Sequence, residues 1–232
     1  MAATCIIQAR LGSTRLPGKV LEPIGGKPML AHVVERVSRA RSVGKVIVAV
    51  PTTEANTRLG AQCLADGWRC YGYGGDENDV LGRYHEAARE MCAGKVIVRV
   101  TSDCPLVDPG LINAVVAAVE SGDCDYAATH LEHTWPHGVD CEAFTRELLE
   151  EAHQNARPDQ REHVTDYMRE AAHVSRVNIR APDGMEPYKN YRLTVDTAED
   201  LARVRAIYAA FPAAHFITTS DALSALIGME AN

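Results

Sequence analysis

Between Gln8 and Lys19 the chain reads Gln-Ala-Arg-Leu-Gly-Ser-Thr-Arg-Leu-Pro-Gly-Lys, a run that brings together what a polyphosphate needs. Gly12 and Gly18 let main-chain amides approach phosphate oxygens. Ser13 and Thr14 add hydroxyl donors, and Arg10, Arg15 and Lys19 add fixed positive charge. The run is neither the Gly-x-x-x-x-Gly-Lys-Ser/Thr of a Walker loop nor the Gly-x-Gly-x-x-Gly of dinucleotide folds. The bland alternative is an ordinary strand-to-helix turn with solvated basic side chains. A second stretch, Thr129 to Glu142, carries His130, His133, His137 and Cys141. Its His-x-x-His-x-x-x-His spacing fits no common zinc pattern, which argues against a metal centre there.

A phosphate loop works only if rigid elements hold it. Short apolar runs rich in β-branched residues alternate with segments of helical period, the pattern of a mainly parallel sheet with crossover helices. Strands are expected at Thr4–Gln8, Lys45–Val50, Arg69–Tyr71, Lys95–Val100, Asp125–Thr129, Val174–Ile179 and Tyr191–Val195. Helices are expected from Pro28 (burying Met29, Leu30, Val33, Val34 and Val37), at Glu54–Asp66, Asn78–Cys92, Pro109–Glu120, Thr145–Asn155, Gln160–Ala171, Ala198–Phe211 and Ser220–Ile227. The loop from His130 to Asp140 breaks this rhythm. The basic run leaves the carboxyl end of the first strand, where open parallel sheets bind ligands.

At 232 residues the chain fits one large α/β domain, with a core that needs neither disulfides nor a structural metal. The seven cysteines are odd in number and show no Cys-x-x-Cys pair, so they read as buried thiols. No apolar run approaches the length of a spanning helix and the first residues lack a signal-peptide pattern; the expectation is a cytoplasmic protein with no membrane partner. A net charge of −7 does not suit nucleic acid. Positive charge is local: residues 1 to 45 carry eight Lys or Arg against two Glu.

Gln-Ala-Arg-x-x-Ser-Thr-Arg-Leu-Pro-Gly-Lys, followed by Gly25-Gly26-Lys27-Pro28-Met29-Leu30, resembles the cytidylyltransferases that make CMP-activated acidic sugars, including CMP-Kdo synthetases, and within them the spore coat polysaccharide biosynthesis protein F branch. Three more blocks agree in order: Gly75 to Tyr84, Arg99 to Pro109 and Arg192 to Leu201. The resemblance implies a three-layer α/β/α nucleotide-diphospho-sugar transferase fold, Rossmann-like and GT-A-like, as a single domain over 1–232 with an acceptor-binding and dimerisation insert at about 130–190. It implies CTP held by Gln8, Ala9, Arg10, Leu11, Gly12, Ser13, Arg15, Lys19, Asp79 and Arg83, with Arg10 and Lys19 acting in catalysis. Mg²⁺ would sit between Asp103 and Asp196, each at the end of an expected strand, and Mg²⁺ favours one or two carboxylates plus phosphate and water. Each aspartate could instead be a helix cap, and Arg83 a solvated helix arginine.

By the same resemblance Trp135, His137 and Glu142 are the acceptor candidates, and the protein is a homodimer. The Arg161-Glu162-His163-Val164-Thr165 run also resembles the branch, but a helix start explains it nearly as well. Gln8 stands where the Kdo enzymes have proline, so the Kdo substrate itself does not carry over. The expected reaction is CMP transfer from CTP to a small acidic acceptor, with release of pyrophosphate. Two rivals remain: a glycosyltransferase of related fold, for which Asp123-Cys124-Asp125 offers an Asp-x-Asp motif, and a catalytically silent nucleotide-binding subunit.

Overall fold

The computed structural model describes residues 2–211 and 216–230, without the side chains of Glu186 and Glu230. The elements run β1 (Ala3–Gln8), β2 (Pro23–Ile24), β3 (Lys27–Pro28), α1 (Met29–Val37), β4 (Val43–Pro51), α2 (Thr57–Ala65), β5 (Cys70–Tyr73), α3 (Val80–Met91) and β6 (Val96–Thr101). They continue with α4 (Pro109–Glu120), β7 (Tyr126–Ala128), β8 (Glu142–Thr145), α5 (Arg146–Asn155), α6 (Asp166–Glu170), β9 (Arg176–Asn178), α7 (Ala198–Ala209) and α8 (Thr219–Glu230).

Among the described residues, seven strands form one sheet in the order β5-β4-β1-β6-β8-β7-β9. β5, β4, β1 and β6 are parallel, β8 runs antiparallel between β6 and β7, and β9 is parallel to β7. The central strands are covered on both sides, which is why their sequences read as continuous apolar runs. The strand period of two still sorts them. Cys5, Ile7, Val48, Val98 and Val100 pack with residues of α1, α2, α4, α7 and α8. Ile6, Ile47, Ala49 and Ile97 face the other way, against α3, α5 and α6. The result is the expected three-layer α/β/α arrangement around a mainly parallel mixed sheet. Tyr84, fully buried, ties α3 to the sheet through a 2.9 Å bond from its hydroxyl to the Ile6 carbonyl.

The structure departs from the sequence reading in four places. Gly25 and Gly26 (φ 56° and 85°) close a tight two-residue hairpin between β2 and β3; two successive positive φ angles suit glycine. β8 fills the stretch left without an element between the loop ending at Asp140 and the helix expected from Thr145, its four residues being too few to show a period. Tyr191–Val195, expected as a strand, is in neither sheet: it forms only an isolated bridge, from Arg192 to the loop residue His137. The helix expected over Gln160–Ala171 is cut to Asp166–Glu170, because the Arg161 carbonyl accepts the Leu81 N–H and its guanidinium turns to Asp79. That diversion leaves residues 161–165 as a turn.

Candidate active site

Gln8 and Thr101 end two adjacent parallel strands in register, so the chain leaving β1 and the chain leaving β6 start side by side. The segment Leu193–Asp196 is pinned to the second of these. The Asp103 carbonyl accepts the Val195 N–H at 2.9 Å and the Thr194 hydroxyl at 3.1 Å. Two aspartates far apart in sequence therefore meet at one edge of the sheet, and Lys19 lies between them. Its Nζ donates to Val195 O at 2.7 Å, Asp196 Oδ1 at 3.1 Å and Asp103 Oδ2 at 3.2 Å. Arg15 reaches Asp196 Oδ1 at 2.9 Å, and Arg192 takes the other oxygen at 3.0 Å.

Asp200 holds this corner in place. It is 4% exposed, accepts the N–H groups of Asp196 (3.0 Å) and Thr197 (3.2 Å), and pairs with Arg192 and Arg203. Burial pushes its carboxyl up, but the two arginines and the two amides outweigh this and bring it to about 2. The same contest acts on Asp103. Burial raises its carboxyl, and the Lys19 ammonium with hydrogen bonds from Lys19 and Thr101 lowers it further, so the net shift is downward. Both groups are carboxylates at neutral pH.

The basic loop is stapled from outside the sheet. Asn56, almost wholly buried, accepts the Leu11 N–H at 2.8 Å and is itself held by Thr53 and Glu77. The Gly18 N–H closes back on the Leu11 carbonyl at 3.0 Å. Among the described residues, the N–H groups of Gly12, Thr14 and Arg15, all exposed, donate to no protein acceptor and are open to solvent or to a ligand. A cleft of about 330 Å³ opens over this loop. Gln8 Oε1 and Arg83 Nε are buried without a protein partner, and both residues line the cleft. Buried polar atoms are rarely left unpaired, so a polar ligand is the natural complement.

Of the residues expected to hold nucleotide, Gln8, Ala9, Arg10, Gly12, Ser13, Arg15, Lys19 and Arg83 line the cleft, as do Asp103 and Asp196. Arg83 is 1% exposed and donates to the Glu77 carbonyl at 2.9 Å, so it is no solvated helix arginine. Leu11 and Asp79 are not among the lining residues. Asp79 caps α3 by accepting the Gly82 N–H, and both its oxygens are taken by Arg161 at 2.9 Å, which makes it a support for the wall.

The acceptor candidates do not join the cleft: Trp135, His137 and Glu142 are absent from its lining. Trp135 spends its indole N–H on the Ile179 carbonyl at 2.8 Å, and the exposed His137 stacks on His133. Glu142 is 1% exposed, with Arg99, His130, Tyr126 and Thr165 all converging on its carboxylate. Burial would raise its carboxyl, yet Arg99 and His130 hold it well below the usual carboxylate range. Four elements supply these partners, so no local pattern announces that this glutamate is consumed internally. Gly138 shows what the loop does instead. At φ 105° its added Cβ would lie 2.3 Å from Thr194 N, and the neighbouring His137 exchanges main-chain bonds with Tyr191 and Leu193. The loop buttresses the segment that carries Asp196.

Glu162 and His163 line the cleft in place of those candidates, together with Thr101, Ser102 and Val80. The turn forced by Arg161 brings them there, and the Arg-Glu-His run was their signal in the sequence. Asp123 and Asp125 lie just before β7, whose Tyr126 is level through Phe144 with Ile97 near the start of β6. The Asp-x-Asp motif is thus at the opposite end of the strands from Asp103, with Asp125 bonded to Ser175. No group of three or more His, Cys, Asp or Glu suited to a metal occurs among the described residues. No described helix is long and apolar enough to cross a membrane.

Comparison with known proteins agrees with this geometry. The cytidylyltransferase family model matches residues 4–212. Spore coat polysaccharide biosynthesis protein SpsF of Bacillus subtilis is 37% identical over 210 residues, covering 88% of this chain and 85% of that protein. A 3-deoxy-manno-octulosonate cytidylyltransferase of Anaeromyxobacter dehalogenans is 32% identical, covering 88% of this chain and 97% of that one. Among solved structures, a cytidylyltransferase from Leptospira borgpetersenii superposes with a TM-score of 0.88 at 28% identity, over 100% of this chain and 96% of that one. The chain, with its basic loop, paired aspartates and α/β/α frame, belongs to the cytidylyltransferase family and is a nucleotidyltransferase.

Proposed function

We propose that this enzyme transfers CMP from CTP to a small acidic acceptor, a sugar or related compound bearing a carboxylate, phosphate or phosphonate, and releases pyrophosphate. An acceptor oxygen attacks the α-phosphorus, a new P–O bond forms, and the bond to the β-phosphate oxygen breaks. The observation that carries this reading is the convergence of Lys19, Asp103 and Asp196 beside a loop with unused N–H donors. Arg10, Arg15, Lys19 and Arg83 give the cleft the positive charge that a triphosphate and an acidic acceptor both require. The name of the A. dehalogenans relative, an enzyme for an acidic sugar, points the same way.

Two hard carboxylates with an ammonium already seated between them form a donor set that suits Mg²⁺, which takes few protein ligands and completes its shell with water and phosphate. Asp103 and Asp196 would hold the ion. Once bound, it supplies charge against the phosphate oxygens. The protein's own part is placement: the main-chain N–H groups of Gly12, Thr14 and Arg15 hold phosphate oxygens, while Arg10 and Lys19 stabilise the charge that gathers on departing pyrophosphate. An acceptor that is already anionic attacks without a general base. His163 and Glu162, at the mouth, face the acceptor; residues 130–190 otherwise serve as a buttress and as the surface of a homodimer, whose mass light scattering would measure. The same reading places the enzyme in the cytoplasm.

The test is a pyrophosphate-release screen crossing CTP, UTP, ATP and GTP with acidic sugars, sugar phosphates and phosphonates. Release is expected with CTP and an acidic acceptor, and is lost in Asp103→Ala. Turnover that survives that substitution would overturn the assignment of the cation pair. Release of a nucleoside diphosphate from a nucleotide sugar would favour a glycosyltransferase, although the position of Asp123 and Asp125 weighs against it.

A further inference from the structure

Lys19 lies on the loop proposed to hold phosphate, but its ammonium is committed elsewhere. It makes three bonds of 2.7 to 3.2 Å to Val195 O, Asp196 Oδ1 and Asp103 Oδ2, and its side chain is only 11% exposed. It sits where the proposed cation would have to touch both carboxylates. The surrounding charge reinforces the block. Arg15 and Arg192 occupy the two oxygens of Asp196, and Arg192 and Arg203 neutralise Asp200. Lys19, Arg15, Arg192 and Arg203 therefore face only three carboxylates, those of Asp103, Asp196 and Asp200. A divalent ion entering this corner alone would add two charges to a cluster that is already net positive.

We infer that Lys19 is a resident counter-ion that excludes the divalent cation until a triphosphate arrives. The triphosphate brings several negative charges onto the loop that bears Arg15 and Lys19. Both side chains then have a better partner, the carboxylates are released, and the ion binds at the place Lys19 leaves. Nucleotide and metal are coupled by this single exchange, so each must raise the other's affinity by the same factor. Lys19 thus has two positions in one cycle: it holds the aspartates together when the site is free of nucleotide, and it holds phosphate when the site is filled. This inference rests on the reading of Asp103 and Asp196 as the cation pair.

The experiment measures Mn²⁺ binding by the loss of its free-ion electron paramagnetic resonance signal, on nucleotide-free protein. Wild type is expected to bind Mn²⁺ poorly. Lys19→Met is expected to bind at least about tenfold more tightly, since one positive charge at contact distance has been removed, and Mn²⁺ should raise the melting temperature of Lys19→Met but not of wild type. Adding Asp103→Asn to Lys19→Met should abolish the gain. Lys19→Gln serves as a second neutral variant if Lys19→Met folds poorly, as judged by circular dichroism. Tight Mn²⁺ binding to nucleotide-free wild type, or a Lys19 variant that binds no better, would overturn the counter-ion role. A gain in Lys19→Met that survives Asp103→Asn would instead overturn the reading of the aspartates as the cation pair, so the two failures are distinguishable.

Discussion

Replacing Asp200 with asparagine removes one charge from a corner where it accepts two main-chain N–H groups and meets two arginines, while leaving the shape of the side chain intact. The size of the loss follows from the carboxyl itself, which is held at about 2 against an ordinary 3.8. At 1.36 kcal/mol per unit this gap is worth about 2 kcal/mol of folding stability at neutral pH. The sign is fixed by linkage. A carboxyl depressed in the folded state contributes its full share above its unfolded value, and loses it as pH falls through the folded one. Urea unfolding at pH 7 should show Asp200→Asn less stable by about 2 kcal/mol, with the difference from wild type narrowing as pH drops below about 4. Because Asp200 orients Asp196 through that residue's own N–H, pyrophosphate release should also fall at temperatures where the variant is folded. An unchanged unfolding free energy at pH 7, or a deficit that does not shrink toward acid pH, would show that the Asp200 carboxylate does not hold this corner.

Three further outcomes are expected. Glu142→Gln leaves Arg99 buried with a neutral partner, which costs on the order of 3 kcal/mol; calorimetry should show a lower melting temperature, while the KM for acceptor stays within about twofold because Glu142 does not face the cleft. Gly138→Ala forces a methyl group onto the Thr194 main chain and so shifts the segment bearing Asp196; kcat should fall at least about tenfold, with CTP binding by calorimetry largely preserved. His163→Ala should raise the KM for acceptor by roughly tenfold with little change in the KM for CTP, and equal effects on both would remove His163 from the acceptor side.

How much of this was legible follows from where the partners of each residue lie. The basic loop is contiguous, so its glycines, hydroxyls and cations could be read together, and its position after β1 followed from the apolar run of Thr4–Gln8. Asp103 and Asp196 were findable because each ends an extended segment and stands in a block that resembles a known family. Arg83 stayed open in the sequence, since helical spacing does not say which way a long side chain turns; its burial against the Glu77 carbonyl shows that it is no solvated arginine. The surroundings of Glu142 were hidden for a similar reason. Its partners come from β6, β7, the 130s loop and the turn before α6, and no sequence window contains them all. The Arg161–His163 turn was hidden because its backbone is diverted by Leu81 and Asp79, some eighty residues away. Tyr191–Val195 has the apolar alternation of a strand yet bonds to His137 of the loop and to the Asp103 carbonyl, contacts far away in the sequence that its own pattern does not reveal.

In the proposed reaction Lys19, Asp103 and Asp196 serve CMP transfer with loss of pyrophosphate. CTP labelled at the α-phosphorus, incubated with Mg²⁺ and the best acceptor from the screen, tests it most directly. The label should appear in an acceptor-linked product, with one pyrophosphate formed per product, and both should vanish in Asp103→Asn. Label in free CDP or CMP alone, or undiminished product from Asp103→Asn, would contradict it.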